Sequence, residues 1–476
     1  MTLTTINRAF TTINPATGEQ LATFETISDA ELEVALATAD RAYADWRERP
    51  AAERAAIIKK AAAYLRDNQA EYSGLITLEM GKLAWESDAE VGLAASILDY
   101  YADRVEQFLE PEPLPESPGA YLETAPIGAI FAIEPWNFPY YQLARVAGPQ
   151  LAAGNVVLLK HAQSVPQCAL AFARAFEQAG APEGVYTNLF VTHEQAATII
   201  ADPRVAGVTI TGSPRAAATV AAQAGQNLKK VVAESGGSDP LIVLDDADIP
   251  GAVFGAVFGR MFNNGQCCVG SKRLIVVGKD RAEQVIAGVV EALAALKPAD
   301  PAEPAGPLTN LGPLSSERAL DLLLEQIETA KQNGAQVRTG GKRIDRPGFY
   351  LEPTVLTGIT KSNPAYTEEF FGPVLAAYVV DTEEEAIALA NDTPWGLGAS
   401  VFTGDTKHGR AVASHIDSGM VFINQPAWTA AEVPFGGTKS SGFGRELGEL
   451  GFGEFVNRKL VNVAKVGSGP WGPSPE

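Results

Sequence analysis

The chain has 476 residues, of which 46% are hydrophobic and 20% are charged. That length exceeds one ordinary domain, so we expect two or three domains with large cores. The formal charge of −20 argues against nucleic acid or an anionic membrane as a partner.

Signals for export or membrane insertion are missing from the sequence. Residues 1–7 contain neither a basic n-region nor an apolar h-region, and no run of eighteen apolar residues occurs. Three cysteines give an odd count and no disulfide framework, which is typical of a reducing compartment. We therefore expect a cytoplasmic protein, and we predict no metal site.

The predicted elements begin with helices and continue as alternating strands and helices. Apolar residues at three-to-four spacing predict helices over 28–46, 52–68 and 69–80. A proline-rich connector follows at 110–119. Strands are predicted at 127–133, 156–160, 185–191 and 205–211, with helices at 166–179 and 216–224. This order predicts a parallel sheet covered by helices on both faces.

A second α/β block starts near Pro240. It contains a strand at 273–277 and helices at 252–262, 281–296, 316–333 and 383–391. Near the end of the chain, residues 453–466 predict a late strand whose edge is suited to pairing with another chain.

Two adjacent cysteines carry the strongest chemical signal. Cys267 and Cys268 end the run Phe-Asn-Asn-Gly-Gln-Cys-Cys, just after the predicted helix. A thiolate that attacks a carbonyl needs open backbone and amide or N–H donors for the oxyanion, and this run offers both. Glu234 ends the buried strand predicted at 228–233 and precedes Ser-Gly-Gly, so it is a candidate general base. The alternative is that Cys268 is a small core residue, because reactivity depends on its surroundings.

These two motifs, N-x-G-Q-x-C and E-x-G-G, resemble the signature pair of the aldehyde dehydrogenase superfamily. Five further motifs of that family occur in the same order, among them Pro-Trp-Asn-Phe-Pro at 135–139 and Pro-Phe-Gly-Gly-Thr-Lys-Ser-Ser-Gly at 434–442. By this resemblance Cys268 is the nucleophile, Glu234 the general base, and Asn137 part of the oxyanion hole. The resemblance implies an α/β fold of the aldehyde dehydrogenase type. It comprises a Rossmann-type cofactor domain (1–114 and 128–237), an α/β catalytic domain (238–437) and a small β oligomerisation arm (115–127 and 453–466).

The cofactor site has no G-x-G-x-x-G fingerprint. Gly212 and Ser213 instead stand at a strand-to-helix junction, where backbone N–H groups bind phosphate, although Gly-Ser there is more often only a helix cap. The resemblance places Lys160 at the adenosine ribose and a selecting residue at Gln163. A neutral amide beside Lys160 and Ser164 spares a 2′-phosphate the repulsion of a carboxylate, so NADP is preferred and NAD remains usable.

The resemblance completes the cofactor site with residues from two further motifs. Glu369 is expected at the nicotinamide ribose and Phe371 near the nicotinamide ring. Pro135 and Trp136 belong to the rigid turn that aims Asn137.

The predicted substrate is succinate semialdehyde, because the sequence as a whole is similar to those of bacterial succinate semialdehyde dehydrogenases. Arg145 matches one substrate arginine of that group, whereas the position of a second arginine holds Phe262. Thr429 replaces a serine that holds the carboxylate. The remaining predicted substrate residues are Cys267, Trp428 and Phe435.

Three alternatives stay open. A neutral aliphatic or aromatic aldehyde fits a site with one cation fewer. The acylating branch transfers the acyl group to coenzyme A, but its members usually lack the base that Glu234 provides. A non-enzymatic, crystallin-like role is disfavoured because Cys268, Glu234 and Asn137 are all present. We expect a homodimer or homotetramer.

Overall fold

The computed structural model of the protein describes residues 10–466; residues 1–7, on which the prediction about export rests, lie outside that range. The helices are α1 (Asp29–Trp46), α2 (Ala51–Asp67), α3 (Gln69–Met80), α4 (Ala84–Leu109), α5 (Tyr141–Ala153), α6 (Pro166–Gln178), α7 (His193–Ala201), α8 (Pro214–Gln226), α9 (Ile249–Met261), α10 (Lys279–Ala294), α11 (Glu317–Gln332), α12 (Glu383–Asn391), α13 (Thr406–Ala413) and α14 (Gly448–Gly453). The strands are β1 (Phe10–Ile13), β2 (Gln20–Phe24), β3 (Glu112–Pro113), β4 (Ala120–Pro126), β5 (Ala129–Glu134), β6 (Val156–His161), β7 (Tyr186–Asn188), β8 (Val205–Thr211), β9 (Lys230–Glu234), β10 (Asp239–Val243), β11 (Ser271–Val277), β12 (Lys297–Pro298), β13 (Asn310–Leu311), β14 (Gln336–Thr339), β15 (Thr354–Thr357), β16 (Val374–Val380), β17 (Gly398–Phe402), β18 (Met420–Ile423), β19 (Gly442–Phe443) and β20 (Val456–Asn462).

The first large sheet has the strand order β19-β9-β8-β5-β6-β7. Its members run parallel except β19, which pairs antiparallel with β9. Helices cover both faces, as expected for strands that are apolar on both sides. The carboxyl ends of four neighbouring strands carry Glu134, His161, Thr211 and Glu234. The prediction of a parallel sheet covered by helices is confirmed. The candidate base, Glu234, lies at the carboxyl edge of this sheet.

The second large sheet has the order β14-β15-β16-β11-β10-β17-β18, with only β14 antiparallel. Leu241, Val243, Leu274 and Val276 of its central strands pack in one core with α9 and α10. Ile242 and Ile275 face the opposite core together with α11 and α12. The turn that carries the cysteines connects α9 to β11, so it is held at the amino-terminal edge of this sheet.

A small three-stranded sheet, β20-β4-β3, lies apart from the other two. β20 pairs antiparallel with β4 over its whole length, from Val456 opposite Pro126 to Asn462 opposite Ala120. The late strand predicted within 453–466 is therefore present. Leu460 is 62% exposed on this edge.

Most predicted elements are found within a few residues of their expected bounds. The capping box of Ser28 and Glu31 fixes the start of α1. The strand predicted at 185–191 is wrong beyond Asn188, where its pairing with β6 ends. Helices α4, α5, α7, α13 and α14 were not predicted. Within residues 10–466, no helix combines the length and the hydropathy needed to cross a membrane.

Candidate active site

The two adjacent cysteines follow a turn that the chain folds tightly after α9. Asn263 and Asn264 have left-handed backbone angles, with φ of 55° and 52°, a region that asparagine visits more readily than most residues. Gly265 follows with φ of 77°, and a Cβ there would lie 2.3 Å from the carbonyl carbon of Gly372. These residues fix the direction in which the chain delivers Cys267 and the residue after it.

Hydrogen bonds from other elements hold this turn. Glu86 of α4 accepts a bond from the backbone N–H of Asn263 at 2.7 Å. The Asn263 amide donates to the backbone oxygens of Asn137 at 2.8 Å and Gln266 at 3.1 Å. The Asn137 amide donates to the same Gln266 oxygen at 3.1 Å. Asn137 therefore lies against the turn that precedes the thiols.

The two thiols differ in exposure and in acidity. Cys267 is buried, whereas Cys268 is partly exposed. A hydrogen bond between the thiols, together with burial, raises the pKa of Cys268. The same bond lowers the pKa of Cys267 to about 7, against the effect of burial. These two directions place the first negative charge of the pair on Cys267, with Cys268 as the donor of the hydrogen bond that joins them.

A cavity of about 280 Å³ opens in front of both thiols. Its wall is largely aromatic and aliphatic, and no lysine or arginine of residues 10–466 belongs to it. On one side the hydroxyl groups of Tyr141 and Thr429 are hydrogen-bonded to each other at 2.9 Å. Five residues predicted to contact substrate line this cavity: Phe262, Cys267, Trp428, Thr429 and Phe435.

Arg145 is the sixth residue predicted to contact substrate. It lies behind the cavity rather than in its wall. Its fully buried side chain pairs with Glu446 and donates to the Thr211 hydroxyl at 3.0 Å. Its guanidinium carbon lies 5.0 Å from the ring centroid of Tyr141 and 4.8 Å from that of Phe435. The structure therefore does not show the expected direct route from Arg145 to a substrate carboxylate, because two aromatic rings and an ion pair occupy its faces.

Glu234 lies on the same side of the site as Arg145. A Cβ on Gly436 would lie 2.8 Å from a Glu234 carboxyl oxygen, so glycine leaves room for this side chain. Burial and the nearby Glu446 raise the pKa of Glu234 well above its usual value, and Arg145 opposes this rise. Glu234 is not part of the cavity wall that contains Cys268. The structure thus brings the candidate base to the site but not into the cavity.

Lys272 connects the thiols to two residues of the predicted cofactor site. Its amine donates to the backbone oxygens of Cys267 at 2.8 Å and Cys268 at 2.7 Å. The same amine pairs with Glu369 at 3.0 Å and lies 5.8 Å from the ring centroid of Phe371. One buried cation therefore couples the cysteine turn to the segment that carries Glu369 and Phe371.

Other predicted cofactor residues lie at the carboxyl edge of the first sheet. Trp136 packs edge-on against Phe371, with ring centroids 5.7 Å apart, and Pro135 directly follows β5. Gly212 follows β8, and its N–H donates to the Glu234 backbone oxygen at 2.9 Å. Ser213 caps α8 by accepting a bond from the Ala216 N–H at 3.3 Å.

The remaining part of the predicted cofactor site consists of Lys160, Gln163 and Ser164. Lys160 is the penultimate residue of β6 and is 8% exposed, and burial lowers its pKa. Within residues 10–466 its amine has no ion-pair partner. Gln163 and Ser164 line a separate cleft of about 560 Å³ whose wall also includes Arg318 and Arg343 but not Lys160. A buried amine without a partner, and an amide and a hydroxyl that line a cleft, are donors that fit a ribose or a phosphate.

Comparison with known proteins agrees with this arrangement. The family model described as "Aldehyde dehydrogenase family" matches residues 3–461. The chain belongs to the aldehyde dehydrogenase family. Its membership implies an aldehyde substrate.

Individual family members are similar over nearly the whole chain. The succinate-semialdehyde dehydrogenase [NADP(+)] of Deinococcus radiodurans is 49% identical, covering 96% of this chain and 95% of that protein. The probable succinate-semialdehyde dehydrogenase [NADP(+)] of Synechocystis is 44% identical, covering 96% of this chain and 100% of that protein. A crystal structure of succinic semialdehyde dehydrogenase from Streptococcus pyogenes in complex with NADP+ superposes with a TM-score of 0.93 at 44% identity, covering 95% of this chain and 99% of the other.

Sequence reasoning about this family member missed four groups around the site: Tyr141, Glu86, Lys272 and Glu446. Tyr141 had a usable signal, because it precedes Arg145 by one helical turn and so shares its helix face. Lys272 also had a usable signal, because it follows the cysteines closely in sequence. Glu86 and Glu446 reach the site from distant parts of the chain, and no local pattern indicates that.

Proposed function

We propose that the protein oxidises succinate semialdehyde to succinate with NADP, through a thioester on Cys268. The observation that carries the proposal is the position of Lys272, whose amine contacts the cysteine turn and Glu369 together. A thiol in front of a cavity and a predicted ribose ligand are thereby held side by side. The names of the relatives from Deinococcus radiodurans and Synechocystis support the choice of substrate and cofactor.

Attack begins at the accessible sulfur. Once ionised, the Cys268 thiolate adds to the aldehyde carbon. The Asn137 amide and the Cys268 backbone N–H are the donors available to the oxyanion, and such donors contribute most when they are fixed before the reaction. The bonds that Asn137 forms with Gln266 and Asn263 supply this fixation.

NADP accepts the hydride when it is bound. On the protein side, Lys160 with Gln163 and Ser164 is the set of donors that would hold the adenosine ribose and its 2′-phosphate. Ser213 and the N-terminus of α8 would receive the pyrophosphate. Glu369 would bind the nicotinamide ribose and Phe371 would pack near the ring. The amide of Gln163 allows NAD as well as NADP.

Hydrolysis of the thioester needs a base. Among residues 10–466, both Glu234 carboxyl oxygens are buried without a side-chain hydrogen-bond partner, and its raised pKa makes it a better proton acceptor once ionised. Gly236, two residues later, has φ of 89°, and glycine at 436 leaves the space that the Glu234 carboxyl occupies. We propose that the side chain rotates from this position towards Cys268. An active base favours hydrolysis over transfer to coenzyme A.

The terminal carboxylate of succinate semialdehyde requires donors in the cavity. The Tyr141 and Thr429 hydroxyl groups are the paired donors available there. Arg145 approaches the Tyr141 hydroxyl from behind at 3.5 Å and so favours negative charge on the substrate side. We propose that the cation acts through this hydroxyl rather than by direct contact.

A second candidate function is the oxidation of neutral aliphatic or aromatic aldehydes. The observation that favours it is the cavity wall, where Phe138, Phe262 and Trp428 offer apolar contacts and no cation is present in the described chain.

An aldehyde panel separates the two candidates. Succinate semialdehyde, butyraldehyde and benzaldehyde are each offered with NADP and with NAD, and the absorbance of the reduced cofactor is followed. The proposal expects the highest kcat/KM for succinate semialdehyde with NADP. A higher value for benzaldehyde or butyraldehyde would transfer the assignment to neutral aldehydes.

We also propose that the enzyme is a homodimer or homotetramer assembled through the arm of 115–127 and 453–466, with 1–114 plus 128–237 and 238–437 as the two larger domains. The free edge of β20 and the exposed Leu460 support the role of the arm. Light scattering after size-exclusion chromatography gives the number of subunits, and a monomer would exclude this assembly.

A further inference from the structure

Four polar side chains form one row across the carboxyl edge of the first sheet. Glu134 pairs in register with His161 on the neighbouring strand. On its other side Ile133 pairs with Ile210, so Glu134 comes opposite Thr211, which in turn pairs with Glu234. Paired residues of adjacent strands share a face of the sheet. Thr211 therefore lies between the two carboxyl groups.

Glu134 has no part in the mechanism derived so far. It is 3% exposed, and the Thr211 hydroxyl is a hydrogen-bonding group beside its carboxyl. Among residues 10–466 its carboxyl oxygens, like those of Glu234, have no further side-chain partner. Buried polar groups without partners are rare and costly, so two such carboxyl groups around one hydroxyl indicate a special role.

The two cations near the row differ in their partners. Arg145 pairs with Glu446 while donating to the Thr211 hydroxyl. Arg445 lies near Glu234, and its guanidinium donates to the backbone oxygens of Gly437 at 2.9 Å and Gly444 at 2.7 Å rather than to a carboxylate.

The other titratable groups facing Glu134 carry no positive charge. Burial lowers the pKa of His161 to about 4, so this ring is neutral near pH 7. Tyr186 is buried, and its pKa is raised. Glu134 consequently lacks a counter-ion of its own, whereas Arg445 lies near Glu234. Two neighbouring carboxylates are disfavoured, so Glu134 is the one that keeps a proton.

We propose that Glu134 and Glu234 share one proton through the Thr211 hydroxyl, and that this sharing resets the base after each hydrolysis. Glu134 is a positioning residue here, since it acts on the reaction only through Glu234. The proposal rests on the proposed role of Glu234 as the base.

The protons balance over one turnover. At rest Glu134 holds the proton and Glu234 is ionised. Water attacks the thioester and gives one proton to Glu234, so that both groups are then protonated. Glu134 releases its proton to solvent. The Thr211 hydroxyl then passes its own proton to Glu134 while it takes one from Glu234, which restores the resting state with one proton released.

Substitutions that keep size but remove the exchange test this proposal. Glu134→Gln cannot release a proton, and Thr211→Val cannot relay one. In each variant we expect the first turnover, seen as a burst of reduced cofactor, to keep its rate. Steady-state turnover should fall by about tenfold or more, and mass spectrometry should show acyl-enzyme accumulating on Cys268. These assays can use any aldehyde that the wild-type enzyme oxidises. Their outcome is therefore independent of whether succinate semialdehyde is the correct substrate.

Two comparisons exclude a merely structural role. The double variant should be no slower than the slower single variant, because both changes interrupt one exchange. Thr211→Ser keeps the hydroxyl and should restore most of the steady-state rate. Equal loss of burst and steady state, additive effects in the double variant, or unchanged turnover in Glu134→Gln would overturn the proposal. Absence of accumulated acyl-enzyme even in Glu234→Gln would overturn it together with the assigned base.

Discussion

Tyr141→Phe tests how the cavity recognises a charged substrate. The change removes one hydroxyl and leaves the ring that packs against Arg145. If the Tyr141 hydroxyl binds the terminal carboxylate, its loss removes one hydrogen bond to a charged group, worth about 1.5–3 kcal/mol. At about 1.4 kcal/mol for each factor of ten, kcat/KM for succinate semialdehyde should fall about ten- to a hundredfold. Butyraldehyde has no carboxylate, so its value should change by less than about threefold.

The assay measures kcat/KM of the wild type and the variant for both aldehydes from the absorbance of the reduced cofactor. Thr429→Val is the matched control, because it removes the hydroxyl that is hydrogen-bonded to Tyr141 and should show the same selectivity. Arg145→Ala is less informative, since it would also leave Glu446 buried without its partner. Equal losses on both aldehydes in Tyr141→Phe would refute the hydroxyl mechanism.

Three further predictions concern the thiols, the cofactor and stability. Cys268→Ala should abolish oxidation while cofactor binding, measured by fluorescence titration, persists, and Cys267→Ala should keep most activity; the reverse result would reassign the nucleophile. Gln163→Glu should lower the ratio of NADP to NAD efficiency, because a carboxylate repels only the cofactor that bears a 2′-phosphate; a constant ratio would remove Gln163 from the ribose site. Lys82→Ala should lower the free energy of unfolding, measured in urea, by about 3–5 kcal/mol, because it leaves the buried Glu90 without its ion-pair partner; a loss below about 1 kcal/mol would mean that this ion pair adds little to stability.

Local signals predicted much of the fold. Helices α1 to α3 and strand β8 lie within a residue or so of their expected bounds, because their apolar spacing is regular and Ser28 caps the first helix. Glu383–Asn391 was predicted with its observed bounds for the same reason. The order of strands and helices was enough to predict a parallel sheet, since connections between parallel strands follow few rules.

Two of the missed helices had weak local signals. Every residue of Tyr141–Ala153 is buried and Pro149 lies inside it, so this helix has no polar face to produce a period. Ala84–Leu109 begins after Leu83 without a side-chain cap. In both cases tertiary packing rather than local preference stabilises the helix.

Predictions at the site depended on where distant segments meet. Cys268, Glu234 and Asn137 could be chosen from their motifs. The pairing of Arg145 with Glu446, far apart in sequence, could not, and it changes Arg145 from a direct ligand into a group behind Tyr141. Ser235 stands where the aldehyde dehydrogenase family usually has leucine, and the sequence alone offers no reason for this difference. In the structure its backbone N–H donates to Ser441 at 3.0 Å and its hydroxyl donates to the Ser440 carbonyl, which anchors the chain after the base.

The most direct test of the account is to trap the thioester. Glu234→Gln removes the base, so steady-state turnover should fall about 10²–10⁴-fold while the first burst of reduced cofactor remains. The variant is mixed with succinate semialdehyde and NADP, quenched in acid and digested, and the peptide containing both cysteines is sequenced by mass spectrometry. The account predicts a succinyl group on Cys268. A succinyl group on Cys267, or an unmodified peptide after a full burst, would contradict it.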